Sequence, residues 1–324
     1  MKLFLALSCI LAYAVCFAQP KSDKGDVLVV FWNLENFFDY HDGGAGESDR
    51  EFSSMGGRRW TKKRFYTKCD AVAKAVLWMG DRYGRMPDVI GLAEVENRWV
   101  LSRLLNVTLL RKYDYRIVHH ESGDRRGIDV ALLYRESVFD LVSEGISTPV
   151  DGGSKMSTRD ILYARLIHES SDTEYDFMVN HHPSKYGGAD ASEGRRNAAM
   201  SCLKALCDSL ATENAAARQI IMGDFNDTPD APQFSIMDGR HMNKGLSVHE
   251  AGEGTIRYEG KWELIDMFIV SSCISEISDM EICRIPFLMT YDRKHPGEKP
   301  LRTYSGPRYA GGVSDHCPIV LKVD

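Results

Sequence analysis

Gln219-Ile220-Ile221-Met222-Gly223-Asp224-Phe225-Asn226-Asp227 passes abruptly from an apolar run to a cluster of acid and amide side chains. The run is short, bounded by a Gly and rich in branched residues, so it reads as a buried strand. The same arrangement recurs along the chain. Val27 to Trp32 runs into Asn33-Leu34-Glu35-Asn36, and Val89 to Leu92 into Glu94-Val95-Glu96-Asn97. Tyr175 to Val179 runs into Asn180-His181-His182-Pro183-Ser184-Lys185, and Ser314-Asp315-His316 opens a last strand over Pro318 to Val323. Strand ends on a rigid sheet are where convergent polar groups can be presented.

The segments between these strands complete an α/β pattern. Phe65, Cys69, Val72, Ala73 and Val76 recur at three- and four-residue spacing, which predicts a helix over Thr61 to Met79 with Gly80 as its stop. Trp99 to Leu110 and Ser192 to Leu210 also read as helices, and Ile128 to Tyr134, Ile161 to Ile167 and Leu264 to Val270 as strands. No internal repeat or low-complexity stretch appears. One domain is expected over 26–324, behind a short linker at 19–25. Two long loops, His41 to Arg59 and Phe287 to Gly312, are candidates for functional segments.

The first residues stand apart. Lys2 precedes an apolar run from Leu3 to Phe17, small residues lead to Ala18, and Gln19-Pro20 breaks the pattern. This reads as a signal peptide cleaved near Ala18, so an exported protein, periplasmic or extracellular, is expected. A second reading lipidates Cys16, although Tyr13-Ala14-Val15-Cys16 departs from the usual Leu-Ala-Gly-Cys pattern. No later segment is long and apolar enough to span a bilayer. Cleavage leaves 39 basic against 46 acidic side chains, a charge of −7. A stoichiometric nucleic-acid binder would be basic. A nuclease is not excluded, since a bound cation can meet phosphate locally. Six Cys remain without Cys-x-x-Cys spacing, and buried free thiols are expected. Cys202 and Cys207 point about 140° apart on a shared helix and should not pair.

Taken singly, each polar cluster has a bland explanation, because Asn, Asp and Gly commonly follow strands in turns. The composition of the set is harder to explain that way. It holds carboxylates, carboxamides and imidazoles with no Cys, a donor set that suits Mg²⁺, with Mn²⁺ or Ca²⁺ as alternatives, rather than zinc. A serine hydrolase elbow, a Walker loop and a His-Glu-x-x-His helix are all absent from the sequence.

In order, Phe31-Trp32-Asn33-Leu34-Glu35-Asn36, Gly91-Leu92-Ala93-Glu94-Val95-Glu96-Asn97, Asn180-His181-His182-Pro183-Ser184-Lys185, Gly223-Asp224-Phe225-Asn226 and Ser314-Asp315-His316-Cys317-Pro318 resemble the motif series of the exonuclease–endonuclease–phosphatase superfamily. The resemblance spans about Asp26 to Asp324. It implies a four-layered α/β/β/α sandwich of two facing β-sheets flanked by helices, with divalent-metal phosphoester hydrolysis at one edge. It further implies Asn33, Glu94 and Asp315 at the metal, with Glu35 as a second acid there. Asp224 and Asn226 would orient the attacking water and the phosphate. His316 would contact phosphate or relay a proton, paired with Asp266. His181 would be a candidate general acid, and its neighbour His182 a structural residue.

Arg126, Lys185 and Arg302 are candidate substrate contacts. Arg293, Lys294, Lys299, Arg302 and Arg308 alternate with Tyr291, Tyr304 and Tyr309 in the second long loop. Such a loop could stack bases and grip phosphates, or it could pack onto the body. Arg58, Arg59, Lys62, Lys63 and Arg64 read as a solvated helix face. The expected activity is that of an endonuclease-like phosphodiesterase on DNA or RNA, acting as a monomer without a protein partner. The alternative is a phosphatase or phosphodiesterase on a small or lipid-linked phosphoester, such as an inositol phosphate or a sphingomyelin-type head group. A non-catalytic binding module on the same fold is the third reading.

Overall fold

The computed structural model describes residues 26–44, 46–185, 188–274 and 277–323, with backbone only at 189–191. The signal-peptide and Cys16 readings lie outside the described residues. Among the described residues, no helix is long and apolar enough to cross a membrane.

Two six-stranded mixed sheets carry the structure. The first is built from β1 (Val27–Phe37), β2 (Val89–Val95), β3 (Tyr115–His119) and β4 (Asp129–Arg135). The second uses β5 (Phe139–Ser147), β6 (Ile161–His168), β7 (Thr173–His181), β8 (Arg218–Asp224), β9 (His241–Asn243) and β10 (Asp266–Ser271). The chain then returns to the first sheet with β11 (Glu281–Ile282) and β12 (Ile319–Val323). The strand orders are β11-β12-β1-β2-β4-β3 and β9-β10-β8-β7-β6-β5.

Alternation along β1 builds two cores at once. Val27, Val29 and Phe31 join the core shared with the second sheet, while Leu28, Val30 and Trp32 join the core under the helices α1 (Lys62–Tyr83) and α2 (Arg98–Val107). A strand buried on both faces has no polar alternation, which is why β1 reads as one apolar run. On the second sheet, α3 (Ala189–Glu213) contributes Met200, Leu203, Cys207 and Leu210 to the core. Cys207 Sγ lies 3.5 Å from Met178 Sδ on β7. Gly91 of β2 permits close approach of the sheets, since Met222 Sδ of β8 fills the space its Cβ would need.

Each sheet contains one parallel pair, β1 with β2 and β7 with β8. A crossover helix joins each pair, α1 in the first case and α3 in the second. Parallel strands end on the same side, so the carboxyl ends of β1 and β2 share a rim, as do those of β7 and β8. The neighbours β12 and β10 run antiparallel to them and begin at those rims. The register places Asp224 opposite both His181 and Asp266.

Helix α1 continues past Gly80, the expected stop, because Gly80 lies under Met86; it ends at Gly84, whose φ of 72° is left-handed. The Phe287–Gly312 loop is more regular than expected. It folds into two hairpins, Met289–Tyr291 with Glu298–Pro300 and Tyr304–Ser305 with Arg308–Tyr309. None of the six cysteines after the N-terminal segment is disulfide-bonded; Cys273 is exposed, Cys202 half-buried and the other four buried.

Candidate active site

Asp224, at the last position of β8, is 2% exposed and sits amid amides and imidazoles. Its Oδ2 accepts from Asn33 Nδ2 at 3.0 Å, and its Oδ1 accepts the Asn226 N–H at 2.9 Å. His181 Nε2 lies 3.6 Å and His316 Nε2 3.8 Å from Oδ2. Burial, then the nearby Asp266, push the Asp224 carboxyl up to about 7; His316 and the two amide donors act in the other direction. A carboxylate whose pKa lies near neutrality is suited to accept a proton from water.

His316 donates or accepts at Nδ1 with Asp266 Oδ2, 2.7 Å away, and Thr255 Oγ1 donates to the same carboxylate oxygen. Burial opposes charge on His316, yet Asp266, Asp315 and Asp224 outweigh it and hold the imidazole well above its usual pKa. The surrounding carboxylates thus favour the charged form of His316, with Nδ1 at Asp266. His181 is the reverse case. Burial, followed by Arg159, Arg126, His316 and His182, holds it well below its usual pKa. His181 thus stands beside Asp224, 3.6 Å away, with its charged form disfavoured.

The acidic side of the site is built on β1 and β2. Glu94 takes the Asn36 N–H on Oε2 at 2.7 Å and faces Arg126 at 3.3 Å. Burial raises its carboxyl pKa, but Arg126, the Asn36 N–H, His316 and Arg159 outweigh burial and hold it below its usual value. Glu35 pairs with Arg302 at 2.8 Å and accepts the Thr303 N–H at 3.0 Å. Burial, then Asp315, push the Glu35 carboxyl up to about 7 against the pull of Arg302 and Lys68. Arg302 also reaches Asp315 at 3.0 Å. Asn33 couples the two sides: its Nδ2 donates to Asp224 while its Oδ1 accepts the Glu35 N–H at 2.9 Å.

Backbone strain concentrates here. Glu35, Asn36, Glu94 and Asn226 have φ of 46°, 54°, 60° and 52°, which makes them four of the seven described non-glycine residues in the left-handed region. Each such residue costs on the order of 1 kcal/mol or more and persists where the surroundings fix it. The bend turns each strand end away from regular pairing, and the β1–β2 register shifts between Asn33 and Phe37.

The proposed substrate contacts are differently placed. Arg126 is occupied by Glu94 and by Asn36 Oδ1, and Arg302 by Glu35 and Asp315. Lys185 is paired with Asp227 at 2.9 Å. The aromatic loop packs onto the body: Tyr304 lies against Phe52, Trp60 and Tyr309, and Arg64 sits over Tyr309 at 4.3 Å. Arg58 and Arg64, expected as a solvated face, fasten that loop instead. Tyr291 alone of the three tyrosines is well exposed.

Two positioning residues escaped the sequence reading. Arg159 donates to the carbonyls of His181 and His182, and pairs with Asp124 at 3.1 Å. Lys68, 1% exposed, bonds Glu35 O at 2.7 Å and Thr303 Oγ1 at 2.9 Å, with its pKa lowered to about 8 by burial. Lys68 occupies the apolar stripe between Phe65 and Cys69, and that misfit was the available signal. His182 packs edge-on against Phe225 at 4.9 Å and accepts Asn226 Nδ2 on its carbonyl at 3.0 Å.

The donor chemistry fits a hard divalent cation. Glu35 and Asp315 meet across Arg302, Glu94 faces Arg126, and no thiol is among these carboxylates. Asp224, Asp266 and His316 also approach closely enough to share a cation, within 4.8 Å. The hydrogen bond between Asp266 and His316 makes that group a carboxylate–imidazole pair first.

Facing mixed sheets and a rim of acids, amides and imidazoles are the architecture of a phosphoester hydrolase of the α/β-sandwich type. The chain belongs to the endonuclease/exonuclease/phosphatase family, whose model matches residues 28–324. No curated protein matches it by sequence. Solved structures are similar in fold. A mannosyl-6-phosphatase of Bacteroides thetaiotaomicron VPI-5482 is 17% identical with a TM-score of 0.59, covering 92% of this chain and 100% of that one. Truncated TDP2 of Caenorhabditis elegans is 14% identical at TM-score 0.58, covering 92% and 97%. D. rerio TDP2 complexed with a single-strand DNA product is 12% identical at TM-score 0.55, covering 93% and 99%.

Proposed function

We propose that the protein is an exported, Mg²⁺-dependent hydrolase that splits a phosphoester by attack of a water from which Asp224 takes the proton. The observation that carries this reading is the setting of the Asp224 carboxylate. Both its oxygens are held by amide donors, two imidazoles lie within 3.8 Å, and burial keeps its pKa near neutrality. A fixed carboxylate with restricted orientation can deprotonate water in one direction. Asn33 and Asn226 hold it there. His316, charged and braced by Asp266, faces the negative charge that builds on the phosphoryl oxygens. His181 offers a neutral ring nitrogen beside the same carboxylate. Glu94, Asp315 and Glu35 would hold the metal, which when bound would neutralise phosphoryl charge and so let the nucleophile approach.

Between the two substrate classes, the arrangement favours a small phosphoester over a polynucleotide. Tyr304 and Tyr309 are committed to internal packing, so they do not form a base-stacking platform. Arg302, Lys299 and Lys185 are paired with carboxylates. The mannosyl-6-phosphatase shows that this fold accommodates a phosphosugar enzyme, and the DNA-bound TDP2 that it accommodates a nucleic-acid one.

The test is turnover of phosphomonoesters, small diesters, lipid head-group phosphoesters and plasmid DNA with Mg²⁺ and with chelator. Metal-dependent release from small phosphoesters, lost in Asp224→Ala, is expected. Nicking of plasmid DNA with no small-substrate turnover would reverse the substrate choice. Turnover unchanged by chelator or by Asp224→Ala would remove the mechanism.

A further inference from the structure

The carboxyl end of β3 and the amino end of β4 bring together three donors that the active site does not use. The antiparallel register sets His119 opposite Ala131, so Asp129, two residues before Ala131, projects diagonally from the same face. Glu121 follows His119 by two residues. One ring nitrogen or carboxylate oxygen from each of His119, Glu121 and Asp129 lies within 4.8 Å of the others.

The state of His119 is what points to a ligand. The residue is 8% exposed, and its Nε2 is buried without a hydrogen-bond partner among the described residues. Asp129 Oδ2 stands 3.3 Å from that nitrogen, yet no hydrogen bond forms between them. Buried polar side-chain atoms are ordinarily paired, so an unpaired ring nitrogen calls for an explanation. The spacing supplies one. A tetrahedral ion with bonds of about 2.0–2.1 Å holds neighbouring ligand atoms about 3.3 Å apart. His119 Nε2 and Asp129 Oδ2 therefore already stand at ligand spacing. The other Asp129 oxygen accepts the Ser122 N–H at 2.9 Å, which fixes the carboxylate with Oδ2 toward His119.

An approach for an ion is also present. Glu121 and Asp129 line a cavity of about 680 Å³ whose wall carries Asp39, Glu96 and Asp124 as well. Arg125, the one basic residue of that wall among the described residues, is paired with Glu47 at 3.1 Å. Such a wall draws cations. His119 lies behind the two carboxylates as the inner ligand. One imidazole with two carboxylates suits Zn²⁺, whereas Mg²⁺ and Ca²⁺ take oxygen ligands.

We propose that His119, Glu121 and Asp129 form a Zn²⁺ site that shares no residue with the catalytic rim. The ion ties the end of β3 to the start of β4 across the turn that carries Asp124 and Arg126, the partners of Arg159 and Glu94. Its role is structural, and the inference stands whether or not the protein hydrolyses phosphoesters.

Equilibrium dialysis against Zn²⁺, with Mg²⁺ in excess to occupy the catalytic rim, tests it on wild type, Glu94→Gln, Glu121→Gln and His119→Gln. Glu121→Gln should weaken Zn²⁺ binding by about tenfold and His119→Gln by more, since loss of even a supporting contact costs a metal site ~10–100-fold. Glu94→Gln should bind as wild type does. The rise in melting temperature caused by Zn²⁺ should follow the same pattern. No Zn²⁺ binding by wild type, or equal binding by wild type and Glu121→Gln, would overturn the site. So would a loss in Glu94→Gln as large as that in Glu121→Gln. Should His119→Gln fail to fold, Glu121→Gln, altered at an exposed position, decides alone.

Discussion

At the rim of the first sheet, carboxylates stand beside guanidinium groups: Glu94 with Arg126, and Glu35 and Asp315 with Arg302. At the rim of the second sheet, carboxylates stand beside imidazoles and amides: Asp224 with Asn33, Asn226, His181 and His316, and Asp266 with His316. The two rims share an architecture, a parallel pair with a crossover helix, and differ in what their charges can do. A guanidinium keeps its proton at every accessible pH, so the cations of the first rim are fixed, and Glu35, pushed up to about 7, is the carboxyl there that titrates near neutrality. An imidazole and a buried carboxyl near neutrality exchange protons readily. In the proposed function the first rim holds the cation and the second moves the proton.

The largest effect expected from breaking this division is on turnover. Asp224→Ala should lower kcat by ~10²–10⁴ while leaving the melting temperature at or above that of wild type. Stability should also report the buried carboxylate. Its pKa is raised in the folded state, so the stability it contributes is present at low pH and lost as pH rises through about 7. In metal-free protein, Asp224→Asn should therefore flatten the fall in melting temperature between about pH 4 and about pH 7. A steeper fall would contradict the placement.

Asp266→Asn comes next. It removes the anion that keeps His316 charged, so kcat should drop by ~10–10² and the alkaline limb of the rate profile should move to lower pH. An unmoved limb would show that His316 does not depend on Asp266. Lys68→Met should cost about 1–3 kcal/mol of stability, because it frees the Glu35 carbonyl and the Thr303 hydroxyl inside the protein. Denaturant unfolding measures that loss, and Lys68→Arg should recover part of it.

The smallest effect concerns histidines outside the proton-handling pair. Burial holds His182 at about 3 and His241 at about 4, both below the usual value. An unfolded chain binds those protons first, so stability present above the unfolded pKa is lost as pH falls from about 6.5 towards the folded values. His241→Gln should soften the drop in melting temperature between about pH 7 and about pH 5.

Much of this arrangement could be read from sequence because strands buried on both faces are uninterrupted apolar runs, and each ran straight into its polar cluster. The β1, β2, β7, β8 and β12 strands were legible for that reason. The edge strand Phe139–Ser147 was not, since it is mostly exposed and lacks clean alternation. Pairing preferences were also hidden. Sequence placed Arg126, Lys185 and Arg302 as free cations for a substrate, whereas a nearby carboxylate takes up each one. Which acid meets which base depends on separations of more than thirty residues, as with Arg126 and Glu94, that local pattern does not encode. Arg159 lies in a loop with no periodicity, so nothing in the chain marked it.

The division between the rims is tested most directly by titrating activity with Mg²⁺ in Glu94→Gln and Asp224→Asn, side by side with wild type. Glu94→Gln should raise the Mg²⁺ concentration needed for half-maximal rate, and Asp224→Asn should lower the maximal rate at an unchanged Mg²⁺ midpoint. If both variants move the midpoint alike, or Glu94→Gln leaves it in place, the first rim does not hold the cation and the account fails.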